Sequence, residues 1–129
     1  MKNCDGIKFM RDPTRGGLVT TLNEIVEHTG LSATIYEERL LIRKEVYSLC
    51  EILGLDPLYL ANEGKVIMIA SKDDSQRIIK IMQNHKEGKD ARIIGEITKT
   101  VEEKVLFKTA LGTIRILDVL TGQPLPRIC

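Results

Sequence analysis

The sequence predicts an α+β fold in which a mixed β-sheet is covered by helices. Three observations predict it. Three stretches carry apolar residues at helical spacing, short apolar runs are interleaved with them, and the last two runs follow one another across a glycine-bearing connection. Late strands that pair as a hairpin argue for an α+β layer arrangement and against a doubly wound parallel sheet.

Residues 7–10 form a short apolar run, read as an edge strand. Arg11-Asp12-Pro13-Thr14-Arg15-Gly16-Gly17 then reads as a turn or loop. Leu18, Leu22, Ile25 and Val26 follow at i, i+4, i+7 and i+8, and predict a helix over most of 18–28 with Gly30 as its C′ residue. Residues 33–36 read as a strand. Val46, Leu49, Cys50 and Leu53 give a second helix over 43–53, ended by Gly54. Asp56-Pro57 forces a turn, 58–61 is short and apolar, and Asn62-Glu63-Gly64 is a polar loop before a dense apolar strand at 66–70. Asp73, Asp74 and Ser75 offer N-cap chemistry to a third helix, 74–84, carrying Ile78, Ile79 and Met82. A charged loop at 85–90 leads to a strand at 93–97. Val105 and Phe107, then Ile114 and Ile116, alternate with polar neighbours on either side of Gly112 and predict a hairpin. Beyond Leu120 the pattern stops. Residues 121–129 hold two prolines and no period, so an extended, mobile tail is expected after a domain of residues 1–120.

Composition sets the outer limits. With 129 residues, 43% of them hydrophobic, the chain suits one domain with a real core. A net charge of +1 calls for neither nucleic acid nor an anionic membrane, and aromatics at 4% with no Trp leave no stacking platform for bases. The apolar runs are too short to span a bilayer, and the N-terminus has no apolar h-region, so a cytoplasmic protein is expected. Cysteines at 4, 50 and 129 are odd in number and widely spaced, against a disulfide framework or a zinc site. The two histidines, His28 and His85, lie near no cysteine in sequence, which speaks against a His-based triad.

Few residues suggest chemistry. Gly16-Gly17 ahead of a helix can seat an anion on free N–H groups, with Arg11 and Arg15 adding charge. The simpler reading is a tight turn capped by Thr14 or Asp12, and the spacing matches neither GxGxxG nor a P-loop. Glu63 stands in a loop at a strand entrance, where a partly buried carboxylate can act as a general base, although most such carboxylates are simply solvated. Cys50, on an apolar stripe, reads as a small core residue, and Cys4 carries no assigned role. Cys129 is the final residue, on a Pro-stiffened tail with Arg127 two positions before it. A terminal thiol can travel on its tail. Arg127 favours its thiolate and the terminal carboxylate opposes it. With no residue after Cys129, a prenylation box is excluded.

Three segments carry a resemblance. Met10-Arg11-Asp12-Pro13-Thr14-Arg15-Gly16-Gly17-Leu18 with Thr21-Leu22-Asn23-Glu24-Ile25 resembles the opening of the second domain of the HypE family of hydrogenase maturation proteins. Cys50-Glu51-Ile52-Leu53-Gly54-Leu55-Asp56-Pro57-Leu58-Tyr59, then Ala61-Asn62-Glu63-Gly64-Lys65, is similar to that family's central signature, and Leu125-Pro126-Arg127-Ile128-Cys129 to its C-terminal one. The last is the most specific, because related PurM-like (AIR synthase-related) synthetases share the fold without it. One local departure is Gly112-Thr113, where the family pattern suggests a Gly-Gly pair.

The resemblance implies a PurM C-terminal-domain-like fold and a mechanism. In the family, HypF places a carbamoyl group on the terminal cysteine, here Cys129. ATP then phosphorylates the carboxamide oxygen, and loss of phosphate leaves a thiocyanate. The cyano group passes to iron on the HypC–HypD complex for the NiFe hydrogenase centre. Glu63 matches the family's glutamate in Ala-Asn-Glu-Gly and is cast as the base. Arg15, Gly16 and Gly17 are the residues expected to touch the nucleotide, and no metal ligand is expected in this chain. The resemblance further implies ATP and Mg²⁺ bound mainly by an N-terminal half that this sequence does not contain, a homodimer when that half is present, and no turnover by this segment alone. Two rival readings stand beside it: a related synthetase of the selenophosphate or aminoimidazole-ribonucleotide type, and a non-catalytic module that docks a partner.

Overall fold

A computed structural model of the chain describes residues 5–120. Nine regular elements follow in the order β1 (Ile7–Arg11), α1 (Gly17–Val26), β2 (Leu31–Tyr36), α2 (Lys44–Leu53), β3 (Ile67–Ala70), α3 (Lys72–Gln83), β4 (Gly95–Lys99), β5 (Val105–Lys108) and β6 (Ile114–Ile116). Single 3₁₀ turns at Glu37–Arg39, Pro57–Tyr59 and Lys86–Gly88 complete them. The α+β reading holds, and the strands divide into two sheets. Four of them order as β4-β2-β5-β6, and β1 pairs antiparallel with β3 in a separate ribbon. The larger sheet is mixed: β2 runs antiparallel to β4 and parallel to β5, and β5–β6 is the expected antiparallel hairpin.

The core lies between the larger sheet and α1. Val19, Leu22 and Val26 form one helix face and are almost fully buried. They pack with Ala33 and Ile35 of β2, Val105 and Phe107 of β5, Leu58 and Tyr59 of the 3₁₀ turn, and Leu117 after β6. The buried stripe of α1 thus centres on Val19, one residue from the expected Leu18, while Leu18 and Ile25 flank it half-buried. Asn23 fastens the helix to the end of the sheet: its Nδ2 donates to the carbonyls of Val19 and Leu117, both at 2.9 Å.

Helix boundaries differ from the sequence reading where side chains took over from pattern. α1 ends at Val26, and the Glu103 carboxylate accepts from the backbone N–H of His28 and of Gly30 beyond it. α3 begins two residues early because Ser71, not Asp73 or Asp74, is its N-cap residue; the Ser71 hydroxyl donates to Asp74 Oδ2 at 2.9 Å. Leu58 and Tyr59, from the short apolar stretch 58–61, lie in a 3₁₀ turn that Pro57 opens, with Asp56 Oδ1 accepting from Leu58 N at 2.9 Å. The largest difference is α2. Of its stripe only Cys50 is buried, while Leu49 and Leu53 are 57% and 58% exposed and Ile52 is 81% exposed.

Candidate functional site

Two loops named by the sequence meet at the joint between α1 and the Pro57–Tyr59 turn. The first, residues 12–16, links β1 to α1; the second, residues 60–66, links the 3₁₀ turn to β3. Since β1 and β3 are paired, Met10 opposite Met68 and Arg11 opposite Ile67, both loops spring from the same end of one ribbon. The backbone N–H of Asn62 donates to the Pro13 carbonyl at 2.9 Å and ties them directly. Asn62 Nδ2 turns inward to the Leu60 carbonyl at 2.8 Å, stiffening the second loop one residue before Glu63.

Gly17 makes the close approach possible. It is buried at φ +65, and a Cβ there would sit 2.5 Å from the Leu60 oxygen and 2.7 Å from the Leu58 oxygen. No side chain fits between α1 and the 57–60 backbone, so this glycine is required by packing and by its left-handed conformation together. Gly16 is also left-handed, at φ 65 and ψ 15, and occupies the N-cap position of α1 with no side-chain cap. The expected cap by Thr14 or Asp12 is absent. Thr14 Oγ1 instead donates to Asp12 Oδ1 at 3.4 Å. Among the described residues no side chain caps the N-terminus of α1 at Gly16.

Of the charges named by the sequence, Arg11 is engaged, pairing with Glu24 in the second half of α1. Arg15 and Glu63 are both exposed, and neither forms an ion pair among the described residues. The structure thus brings the loop of Arg15, Gly16 and Gly17 together with that of Glu63, and leaves both charged side chains accessible. Glu63 lacks the partial burial that sequence reasoning associates with a general base. Cys50 is buried, 4% exposed, in the second half of α2 and belongs to neither loop. Cys4 and Cys129 lie outside the described residues.

Sequence reasoning missed Asn62 and Pro13 as the joint between the loops. A backbone-to-backbone bond leaves no residue-type signal, and only the neighbouring Gly17 hints at close contact. No group of three or more His, Cys, Asp or Glu side chains among the described residues is placed to hold a metal ion. No helix among them is long and apolar enough to cross a membrane.

Comparison with known proteins agrees with this geometry. Residues 2–108 match the family model described as AIR synthase related protein, C-terminal domain. The chain is 44% identical over 124 residues to the carbamoyl dehydratase HypE of Cupriavidus necator, covering 96% of this chain and 35% of that protein. A crystal structure of the hydrogenase maturation protein HypE in complex with ATP superposes with a TM-score of 0.86 at 40% identity, over 96% of this chain and 38% of that one. The crystal structure of a HypE–HypF complex does so with a TM-score of 0.84 at 44% identity, over 90% and 37%. The chain spans about a third of the length of the relatives it matches. With its two sheets, its α1 packed on the mixed one and its paired loops, the chain belongs to the AIR synthase related family as a C-terminal domain and is similar within it to the HypE hydrogenase maturation proteins.

Proposed function

We propose that the chain is the C-terminal domain of an ATP-dependent carbamoyl dehydratase acting in NiFe hydrogenase maturation. The observation that carries this is the likeness to HypE along nearly the whole chain, in sequence and in fold, including a HypE solved with ATP and one solved with HypF. Residues 1–120 are the folded domain and 121–129 the tail that presents Cys129. HypF is the proposed carbamoyl donor and a HypC–HypD complex the proposed cyanide acceptor, in the cytoplasm, with the longer protein working as a homodimer.

The proposed chemistry balances. The carbamoyl group sits on Cys129 as Sγ–C(=O)NH₂. Its oxygen takes the γ-phosphoryl group of ATP, ADP leaves, and one nitrogen proton is lost. The second nitrogen proton then goes to a base while phosphate departs with the C–O electron pair, leaving Sγ–C≡N. Glu63 is the proposed base, exposed at the loop junction where a visiting tail can reach it. The start of α1, where no described side chain caps Gly16, with Gly17 and the exposed Arg15 guanidinium, suits phosphate oxygens. The described residues offer no cluster that fits Mg²⁺, so the reading assigns the metal and most of the nucleotide contacts to the part of the longer protein outside this chain.

Mass spectrometry tests the proposal. After incubation of the longer protein with HypF, carbamoyl phosphate and ATP, the peptide ending in Cys129 should gain the mass of a carbamoyl group and then lose that of water. A terminal peptide that stays unmodified while HypF consumes carbamoyl phosphate would overturn it.

A further inference from the structure

A pocket of about 290 Å³ opens where β2 ends and β4 begins, and it shares no residue with the loop junction. Three pieces of chain build it: Arg39 from the 3₁₀ turn after β2, Gln83 at the end of α3, and Lys89, Ala91, Arg92 and Ile93 from the segment leading into β4. Three cations line it and no acid does. The acids nearest to them in sequence are Glu38, Glu87 and Asp90. None pairs with them, and among the described residues Arg39, Lys89 and Arg92 form no ion pair.

The frame is held by contacts that leave the cationic ends open. The Arg39 guanidinium lies over the Tyr36 ring, 4.4 Å from its centre, and the Tyr36 hydroxyl donates to Glu96 Oε1 at 2.6 Å. Stacking of this kind orients a guanidinium without using its N–H donors. Arg92 uses only its Nε, which donates to the Asp90 carbonyl at 3.4 Å, so its two terminal nitrogens keep their donors. The segment before β4 is pinned to α3. Gln83 Nε2 donates to the Ala91 carbonyl at 2.8 Å, and Ala91 N donates to the Gly88 carbonyl at 3.0 Å. Gly88 packs so tightly on α3 that a Cβ there would sit 2.1 Å from the Met82 carbonyl oxygen. Cations gathered this way repel one another, and a ligand of opposite charge relieves that repulsion.

We propose that this pocket is an anion site for a phosphate-bearing small molecule, held by the guanidinium forks of Arg39 and Arg92 and by Lys89 as a point charge. Arginine forks match phosphate oxygens two at a time. A phosphate group carries about −1.5 to −2 charges at pH 7 and presents three acceptor oxygens. A carboxylate brings a single charge, which leaves two of the three cations unanswered. The pocket is open to water, so its affinity is modest. A dissociation constant on the order of 1 mM is what a few exposed charge pairs sustain. Phosphate alone is read, whether it comes free as pyrophosphate or on a nucleotide, because no aromatic ring lines the pocket to stack a base. The pocket and the loop junction share no residue, so this site and the chemistry proposed above stand or fall separately.

Nuclear magnetic resonance of the 129-residue chain, titrated with pyrophosphate in the absence of metal, tests the site. The amide signals of Gln83, Lys89, Ala91, Arg92 and Ile93 should shift together and saturate. Arg39→Ala and Arg92→Ala should each weaken binding about 2- to 5-fold, the range of an exposed ion pair, and leave the rest of the spectrum in place. Arg92→Lys keeps the charge and loses the fork, and its affinity should fall between those of Arg92→Ala and the unaltered chain. Lys8→Ala removes an exposed cation of β1 outside the pocket and should change nothing. ADP should bind as pyrophosphate does, and succinate should bind several-fold more weakly. Four results would overturn the proposal. The pocket signals could fail to saturate, or the shifts could fall on residues 12–17 instead. Lys8→Ala could weaken binding as much as Arg92→Ala, which would report diffuse surface charge. Succinate could bind as well as pyrophosphate, or ADP far more tightly, and either would deny that phosphate is what the pocket reads.

Discussion

Glu63 and Gly17 show how differently two residues of one site can be read. Glu63 is exposed and makes no ion pair among the described residues, so its proposed role rests on position and chemistry. In the longer protein Glu63→Gln keeps the shape and removes the proposed base. Carbamoylation of Cys129 should continue while single-turnover thiocyanate formation slows by roughly 10²–10⁴-fold, the usual contribution of a general base. A variant that dehydrates at the normal rate but has lost stability would leave Glu63 as a loop residue only. Tyr59 offers a prediction free of that chemistry. Burial, then the nearby Asp56 carboxylate, raises its hydroxyl above the ordinary value near 10. A raised folded-state pKa means stability fully present below the unfolded value and lost as pH climbs through the folded one. Ionisation also removes the donor to the Asp118 carbonyl. Urea unfolding should therefore show wild type losing stability above about pH 10. Tyr59→Phe should be less stable by about 1 kcal/mol at neutral pH and should show a smaller alkaline loss, keeping the part that comes from Tyr36, whose hydroxyl the hydrogen bond to Glu96 also raises. Parallel pH profiles for the two proteins would refute the assignment.

At the scale of elements, most of the fold was legible and the reasons for the misses are physical. The three helices and the β5–β6 hairpin follow directly from periodicity and Gly112, because local pattern and tertiary burial agree there. The parallel pairing of β2 with β5 and the separate β1–β3 ribbon did not show, since strand partners far apart in sequence leave no local trace. The meeting of the two site loops was hidden for the same reason, although each loop was named. α2 is the instructive case: its stripe is amphipathic, yet only Cys50 reaches the core, and the others face outward. Periodicity reports an apolar face without saying what covers it. Thiol labelling of the native chain should thus modify Cys129 quickly and Cys50 slowly. Equal rates would show α2 opening freely. Two glycines separate backbone strain from packing. Gly54 ends α2 at φ 66 with open space where a Cβ would go, so Gly54→Ala should cost only the left-handed penalty, about 1–2 kcal/mol. Gly17→Ala carries that same penalty plus the collision with the 58–60 backbone, so its urea midpoint should fall clearly further. Equal losses would mean that the α1 joint yields without cost.

At the scale of the whole molecule, the chain spans about a third of its relatives, and what it lacks decides what it can do alone. Phosphoryl transfer needs positioned cations on the phosphates and a water-poor site. The described residues supply an uncapped helix N-terminus and one free guanidinium at the loop junction, with no carboxylate cluster to hold a metal. A single exposed arginine is a weak phosphate ligand when water competes for it. The 129-residue chain should accordingly show no ATP hydrolysis and no micromolar ATP binding by titration calorimetry. Joining it to the remaining two thirds of a HypE-length protein should restore both, and Arg15→Ala in that longer protein should raise the apparent KM for ATP more than it lowers kcat. Micromolar ATP binding by the 129-residue chain alone would put the nucleotide site inside this domain. The loop junction would then be a complete binding site and not one wall of it.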